Sequence, residues 1–200
     1  MPLSREIGKF GAMYRAEAEA MFGLEFVQAA VARKVCVATE TDYGWVLYLA
    51  HKGRRMIGLT STFQSRTENL ENAACSRDAY LRVVEMGHSV ETVERQRRAS
   101  ITYTKAGIRV LALAQARGFN RTVTRRNYSN WVESGEYGEL HLYSYLSTGE
   151  VMEFGMLMLH SKNANALTID PAKFLLYSLT PWPVAHRQET AGPDTSPQLD

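Results

Sequence analysis

Two short apolar runs, KVCVATE at 34–40 and WVLYLAH at 45–51, flank the turn-prone TDYG and carry the β-branched and aromatic residues that suit a pleated surface. A second turn, HKGRR, leads into MIGLTSTF. Residues 35–63 therefore read as three consecutive strands in a meander, and such a sheet needs another layer to bury its apolar face. Upstream, residues 11–33 place Met13, Ala16, Ala20, Leu24, Val27 and Val31 at spacings of three and four, which predicts an amphipathic helix broken near Gly23.

The remaining pattern alternates helix and strand. QSRTENLENAACSRDAY (64–80) suits a helix, and LRVVEMG either ends it or forms a strand, because periodicity cannot separate the two over so short a run. Ser89, with Thr92 three residues on, is a good N-cap for a helix reaching about Arg98. AGIRVLALAQARGF (106–119) predicts a helix that begins at Gly107 and stops at Gly118. NRTVTRR then reads as a strand, NYSNWVESGEY as a loop or one helical turn, and residues 138–160 as a hairpin turning at STGE. NALTIDPAKFLLYSL adds a last strand and a helix begun by Pro171. The class predicted is α+β, with a mixed, mainly antiparallel sheet flanked by helices.

With 200 residues, 45% hydrophobic and 22% charged, the composition suits one globular domain over 1–180 followed by a Pro-rich, disordered tail over 181–200. The N-terminus lacks the apolar core of a secretory signal, and no segment approaches the roughly 18 apolar residues of a membrane span. The expected location is cytoplasmic, with no membrane partner. Cys36 and Cys75 form no C-x-x-C pair and read as core thiols; the five histidines are scattered singly, so no metal site is expected.

Charge is spread unevenly. Residues 1–94 hold 11 basic and 12 acidic side chains, whereas residues 95–132 hold nine basic (Arg95, Arg97, Arg98, Lys105, Arg109, Arg117, Arg121, Arg125, Arg126) and no Asp or Glu. From Glu133 onward there are three basic and nine acidic. Such segregation marks either an anion-binding face or a basic segment neutralised by acidic neighbours of the same fold.

Around residues 45–155 the chain resembles the GNAT family of N-acyltransferases. VLYLAHKGRRMIGLTS is similar to that family's second and third strands. TKAGIRVLALAQARGFNRTVT is similar to its cofactor segment of glycine turn, helix and strand, and RRNYSNWVESGEY to the asparagine-bearing turn that leads into its closing strands. The resemblance implies acetyl-CoA or another acyl-CoA as cofactor and a small-molecule or protein amine as acceptor. Its pyrophosphate would meet the backbone N–H groups of Thr104, Lys105, Ala106, Gly107, Ile108 and Arg109, since a helix N-terminus with orphan donors holds anions. Arg109, Arg125 or Arg126 would pair with the phosphates, Asn127 matches the asparagine that contacts the cofactor arm, and Tyr128 stands near the place of the tyrosine that protonates the thiolate. If LRVVEM is the strand before this loop, Glu85 is the candidate base, because a carboxylate in an apolar run has its pKa raised. The family's phosphate loop has Gln or Arg three residues before its first Gly and Gly or Ala two residues after it; Thr104 and Arg109 hold those places here.

A second reading is nucleic-acid binding through the basic segment 95–126, whose cations interleave with Tyr103, Phe119, Tyr128 and Trp131 as in single-strand binders. AYLRVVEMGHSVETVERQRR also has a helix-turn-helix outline, although Glu91 and Glu94 would face phosphates with the wrong sign. A structural or regulatory module whose basic segment meets its own acidic C-terminal half or a protein partner is the third. No Ser-His-Asp elbow, P-loop, HExxH or dinucleotide fingerprint is present.

Overall fold

The computed structural model describes residues 2–60, 66–94, 100–160 and 168–184. It is an α+β fold with two sheets. The first is antiparallel, in the order β1-β3-β2, from β1 (Ala12–Tyr14), β2 (Cys36–Thr41) and β3 (Gly44–Leu49). Helices α1 (Pro2–Phe10), α2 (Arg15–Phe22), α3 (Leu24–Ala32) and α4 (His51–Met56) close one face over Met13, Leu47 and Leu49. The predicted hairpin at TDYG is present. The third strand expected over MIGLTSTF is absent among its described residues, 56–60, and Ala12–Tyr14 pairs with β3 instead. HKGRR, expected as a turn, is α4. Gly53 there lies so close to the Val35 carbonyl that an added Cβ would overlap it, so the glycine permits helix-to-strand contact instead of breaking the helix.

The second sheet has the order β4-β5-β6-β7-β8, from β4 (Val90–Glu94), β5 (Ser100–Lys105), β6 (Ile108–Ala114), β7 (Glu139–Ser144) and β8 (Phe174–Ser178). β4, β5 and β6 form an antiparallel meander; β7 runs parallel to β6, and β8 parallel to β7. The two crossovers carry α6 (Arg121–Tyr128), which runs into a π-helical turn (Ser129–Glu133), and α7 (Thr148–Leu159). Both pack on one face, over Leu111, Leu140, Leu142 and Phe174.

Helix α5 (Thr67–Glu85) lies between the sheets. It touches the first through Leu70, Ala73 and Ala74 and the second through Cys75, Ala79 and Val83. Being buried on nearly all sides, it carries Glu71, Ser76, Arg77 and Asp78 inward as well, which is why its sequence shows little apolar stripe. LRVVE thus ends a helix. Cys36 and Cys75 are both buried.

Several predicted elements exchange identity. Residues 90–94 are strand rather than helix, and 108–114 are strand rather than helix. The second error has a physical cause: β6 is central and covered on both faces, so IRVLALA shows no alternation to distinguish it from a buried helix. NRTVTRR, expected as a strand, is α6, started by Asn120, whose side chain accepts from the Val123 amide at 3.1 Å. STGE, expected as a hairpin turn, is a capping box in which Ser147 and Glu150 bond each other's backbone N–H, and the arm after it is α7. Pro171 begins a turn into β8 and no helix. Residues 185–200, expected as tail, lie outside the described residues. Among the described residues no helix is long and apolar enough to cross a membrane.

Candidate functional site

Asp78, Arg82 and Glu85 recur along α5 at spacings of four and three and so share one face of it. Opposite them the chain leaving β8 contributes Ser178, Thr180 and Trp182, and the two walls enclose a cleft of about 290 Å³. Asp78 lies at its base and is 7% exposed. Its Oδ2 accepts from the Tyr145 hydroxyl at 2.8 Å and from the Trp182 amide at 3.1 Å, while Oδ1 has no hydrogen-bond partner among the described residues. Burial pushes its carboxyl up to about 7; the bonds from Tyr145 and Trp182 oppose the rise, the charge of Glu17 adds to it, and Arg77 opposes it. A carboxyl that titrates near neutrality beside a cleft is equipped to take and return protons.

The hydroxyl chain continues inward. Tyr145 accepts from the Tyr14 hydroxyl at 3.0 Å and packs against Tyr43 with ring centroids 4.7 Å apart. Tyr145 also donates its backbone N–H to the Ala116 carbonyl at 3.2 Å, and Tyr43 donates its hydroxyl to the same oxygen at 3.4 Å. Tyr145 therefore links Asp78 to Gln115–Asn120, the loop that leaves β6 and enters α6. In that loop Gln115 stands three residues before Gly118, with Asn120 two residues after it. Gly118 is required in two ways: its φ is +94°, and a Cβ would come within 2.8 Å of the Leu146 side chain.

A second polar cluster sits on the α5 face of the sheet. His141 is fully buried, with Nδ1 2.6 Å from the Tyr103 hydroxyl and Nε2 2.6 Å from Glu139 Oε2, which also accepts from Lys105 Nζ at 2.6 Å. Burial lowers the His141 pKa against the opposing pull of Glu139. Burial works to raise the Glu139 carboxyl, but the bonds from Lys105 and His141 outweigh it and hold it low. An ionised Glu139 only accepts, so Nε2–H donates to it and Nδ1 accepts from Tyr103. The order Tyr–His–carboxylate has the outline of a catalytic relay, but the Tyr103 side chain is itself fully buried and stacked on His88, so the network locks the sheet face.

The residues singled out from sequence are redistributed. Thr104 and Lys105 end β5, and Ile108 and Arg109 begin β6. Ala106 and Gly107 are the two central residues of the hairpin between them, with φ of +48° and +81°. Two positive φ values mark the primed turn that closes a tight hairpin. Gly107 therefore serves a β-turn, and no helix N-terminus presents the 104–109 amides to an anion. Thr104 donates to Glu91, Lys105 pairs with Glu139, and Arg109 lies 3.8 Å from Glu91 and over the Tyr137 ring. Arg125 donates to the Leu157 and Met158 carbonyls at the end of α7. Arg126 and Asn127 are on α6, with Arg126 exposed. Tyr128 is 2% exposed, packed against Phe174 and accepting from the Asp170 amide, on the opposite face of the sheet from Asp78. Glu85 does line the cleft, but its side chain is 63% exposed and paired with Arg82 at 3.4 Å instead of sitting in an apolar run. The buried carboxylate is Asp78, seven residues earlier on the same helix face. Two features of the sequence mark the present site: the i, i+4, i+7 spacing of Asp78, Arg82 and Glu85, and the Gln-x-x-Gly of 115–118.

Among the described residues no group of three or more His, Cys, Asp or Glu is placed to hold a metal ion. No protein-family model matches the chain, and no curated protein matches it.

Proposed function

We propose that this chain transfers an acyl group from acyl-CoA to an amine, as the GNAT family it resembles does. One observation carries the reading: the meander β4-β5-β6 continues through the Gln115–Asn120 loop into α6 and returns in β7, parallel to β6. Glycine loop, helix and strand in that order are what the resemblance implies for a cofactor segment. They lie eleven residues downstream of the Thr104–Arg109 assignment, where Gln115 supplies the residue type that Thr104 could not, while Asn120 stands where the family has Gly or Ala.

The residues present suit the phosphates. The first turn of α6 has no acidic side chain and Arg121 is exposed at its start; Asn120 takes the Val123 and Thr124 amides, so the donors left for an anion are those of Arg121 and Thr122. Bound acyl-CoA would supply the activated acyl group. β6 and β7 stay hydrogen-bonded to their ends, Gln115 N to Tyr143 O at 3.0 Å, and beyond those ends Tyr145 stands between the loop and Asp78. Asp78 takes the proton an ammonium must lose before its nitrogen can attack, and Tyr145 orients the carboxylate for it.

Melting with millimolar acetyl-CoA tests the cofactor, and release of the CoA thiol with a panel of primary amines tests the chemistry. The reading expects a raised Tm and a turnover that Asp78→Asn removes while the Tm shift persists. A melt unmoved by the ligand overturns it. Oligonucleotide binding that falls steeply with salt would favour the nucleic-acid reading instead.

A further inference from the structure

On the far side of the first sheet, α3 and α4 leave a groove between them of about 160 Å³. Its floor is Ala29, Ala30 and Val35, with Phe26 and Met56 as apolar walls. Phe26 is 37% and Met56 46% exposed, and Met21 and Leu24 are more than half exposed on the same helical stretch. Single exposed apolar side chains are ordinary, but a concave group of them marks a contact surface. The polar lining is of one sign. Arg33 and Lys52 border the groove, and a shallower depression that shares Lys52 and Met56 adds His51 and Arg55. Among the described residues no carboxylate lines either hollow; Glu25, the acidic residue of α3, is outside both.

The shape is built into the backbone. Gly23, at φ +86°, breaks α2 from α3, and the contact of Gly53 with the Val35 carbonyl holds α4 against the floor. Alanines at 29 and 30 keep the floor low where larger side chains would fill it.

We propose that this groove is a docking site for a protein partner that inserts an apolar side chain flanked by Asp or Glu, held in a short helical or extended segment. The apolar floor takes the anchor, and Arg33, Lys52 and Arg55 take the flanking carboxylates. Concavity decides between occupants. A bilayer surface is bound by apolar residues that project into it and cannot enter a hollow floored by alanines, whereas a side chain can.

Random twelve-residue peptides displayed on phage, selected on the full chain, test the proposal. The expected peptides carry Leu, Phe or Met next to acidic residues, and a synthetic copy binds in solution. Ala29→Trp, which fills the floor, and the double change Lys52→Glu with Arg55→Glu each weaken it at least tenfold, with an unaltered far-UV spectrum. Should Ala29→Trp not fold, the surface double variant carries the decision alone. Selected peptides without acidic residues, or affinity indifferent to the double variant, overturn the proposal. So does binding confined to phosphatidylserine vesicles, or self-association of the chain that Ala29→Trp abolishes.

Discussion

Replacing Asp78 by Asn isolates the buried carboxyl, because the amide has the same shape and no charge. The Asn side-chain oxygen keeps the bonds from Tyr145 and the Trp182 amide, and the new NH2 occupies the position of the orphan Oδ1. Burial raises the folded pKa from an ordinary 3.8 to about 7, so the folded state binds the proton more tightly than the unfolded one. The sign follows: stability from this group is fully present below pH ~3.8, falls as pH rises, and is lost above about pH 7, by ~4 kcal/mol in all. A protonated Asp78 and the asparagine that replaces it are near equivalents, so the two proteins differ little at acid pH. Between about pH 5 and pH 8 the Asp78→Asn variant should gain about 2.5 kcal/mol on the parent, the part of the titration that falls in that window.

Urea unfolding at half-unit pH steps measures this difference directly, since groups common to both proteins, His141 among them, cancel. The expected result is a difference that grows with pH and levels above 7. A difference that stays flat, or that reverses as pH rises, refutes the placement of a nearly dry carboxyl at the base of the cleft.

Three further perturbations probe neighbouring parts. Tyr145→Phe removes a bond to Asp78 and the acceptor for Tyr14; stability at pH 8 should fall by ~1–2 kcal/mol, and the Asp78 titration, followed by NMR, should move further up because the lost bond favoured the carboxylate. His141→Ala leaves the Tyr103 hydroxyl and Glu139 without their shared partner inside the sheet and should cost ~3 kcal/mol or more in urea unfolding. Gly107→Val forces a β-branched residue to φ +81° in the hairpin and should cost ~1–2 kcal/mol; if Gly107 serves only the turn, any acetyl-CoA effect on Tm persists in the variant.

Class was legible in the sequence where one hairpin announced itself: Gly44 closes β2 to β3, and the runs on either side are short, apolar and rich in β-branched and aromatic residues. Identity was lost where an element's surroundings, not its residues, decide its form. IRVLALA is rich in helix formers but is covered by α5 on one face and by the packing of α6 and the π-helical turn on the other, so it is a central strand. RTVTRRNY carries β-branched residues, yet Asn120 caps it as a helix that lays Thr124 and Tyr128 on the sheet. Those two exchanges put a hairpin turn at 104–109, where the sequence led one to expect a helix N-terminus. Asp78 was hidden for a related reason. A carboxylate in a polar-looking helix gives no sign of burial until a second layer, here the chain after β8, closes over it.

The run of cations from Arg95 to Arg126 shows how little a linear count of charge says about a surface. Lys105 on β5 meets Glu139 on β7, and Arg109 on β6 meets Glu91 on β4, each pair reaching across an intervening strand. Arg117 is held by the buried Glu71 at 2.8 Å and by Asp42 at 2.6 Å, partners 46 and 75 residues away. Arg125 is spent on the carbonyl end of α7. Arg95, Arg97 and Arg98 lie outside the described residues, so among those described Arg121 and Arg126, both exposed on α6, are the members of the run without such a partner in view. A polynucleotide backbone needs a track of cations spaced along it, since its affinity comes from releasing many counterions. Among the described residues, two arginines on one short helix make no such track. They stand on α6, at whose start Asn120 takes the Val123 and Thr124 amides and leaves those of Arg121 and Thr122, a compact cationic corner that adjoins Gly118.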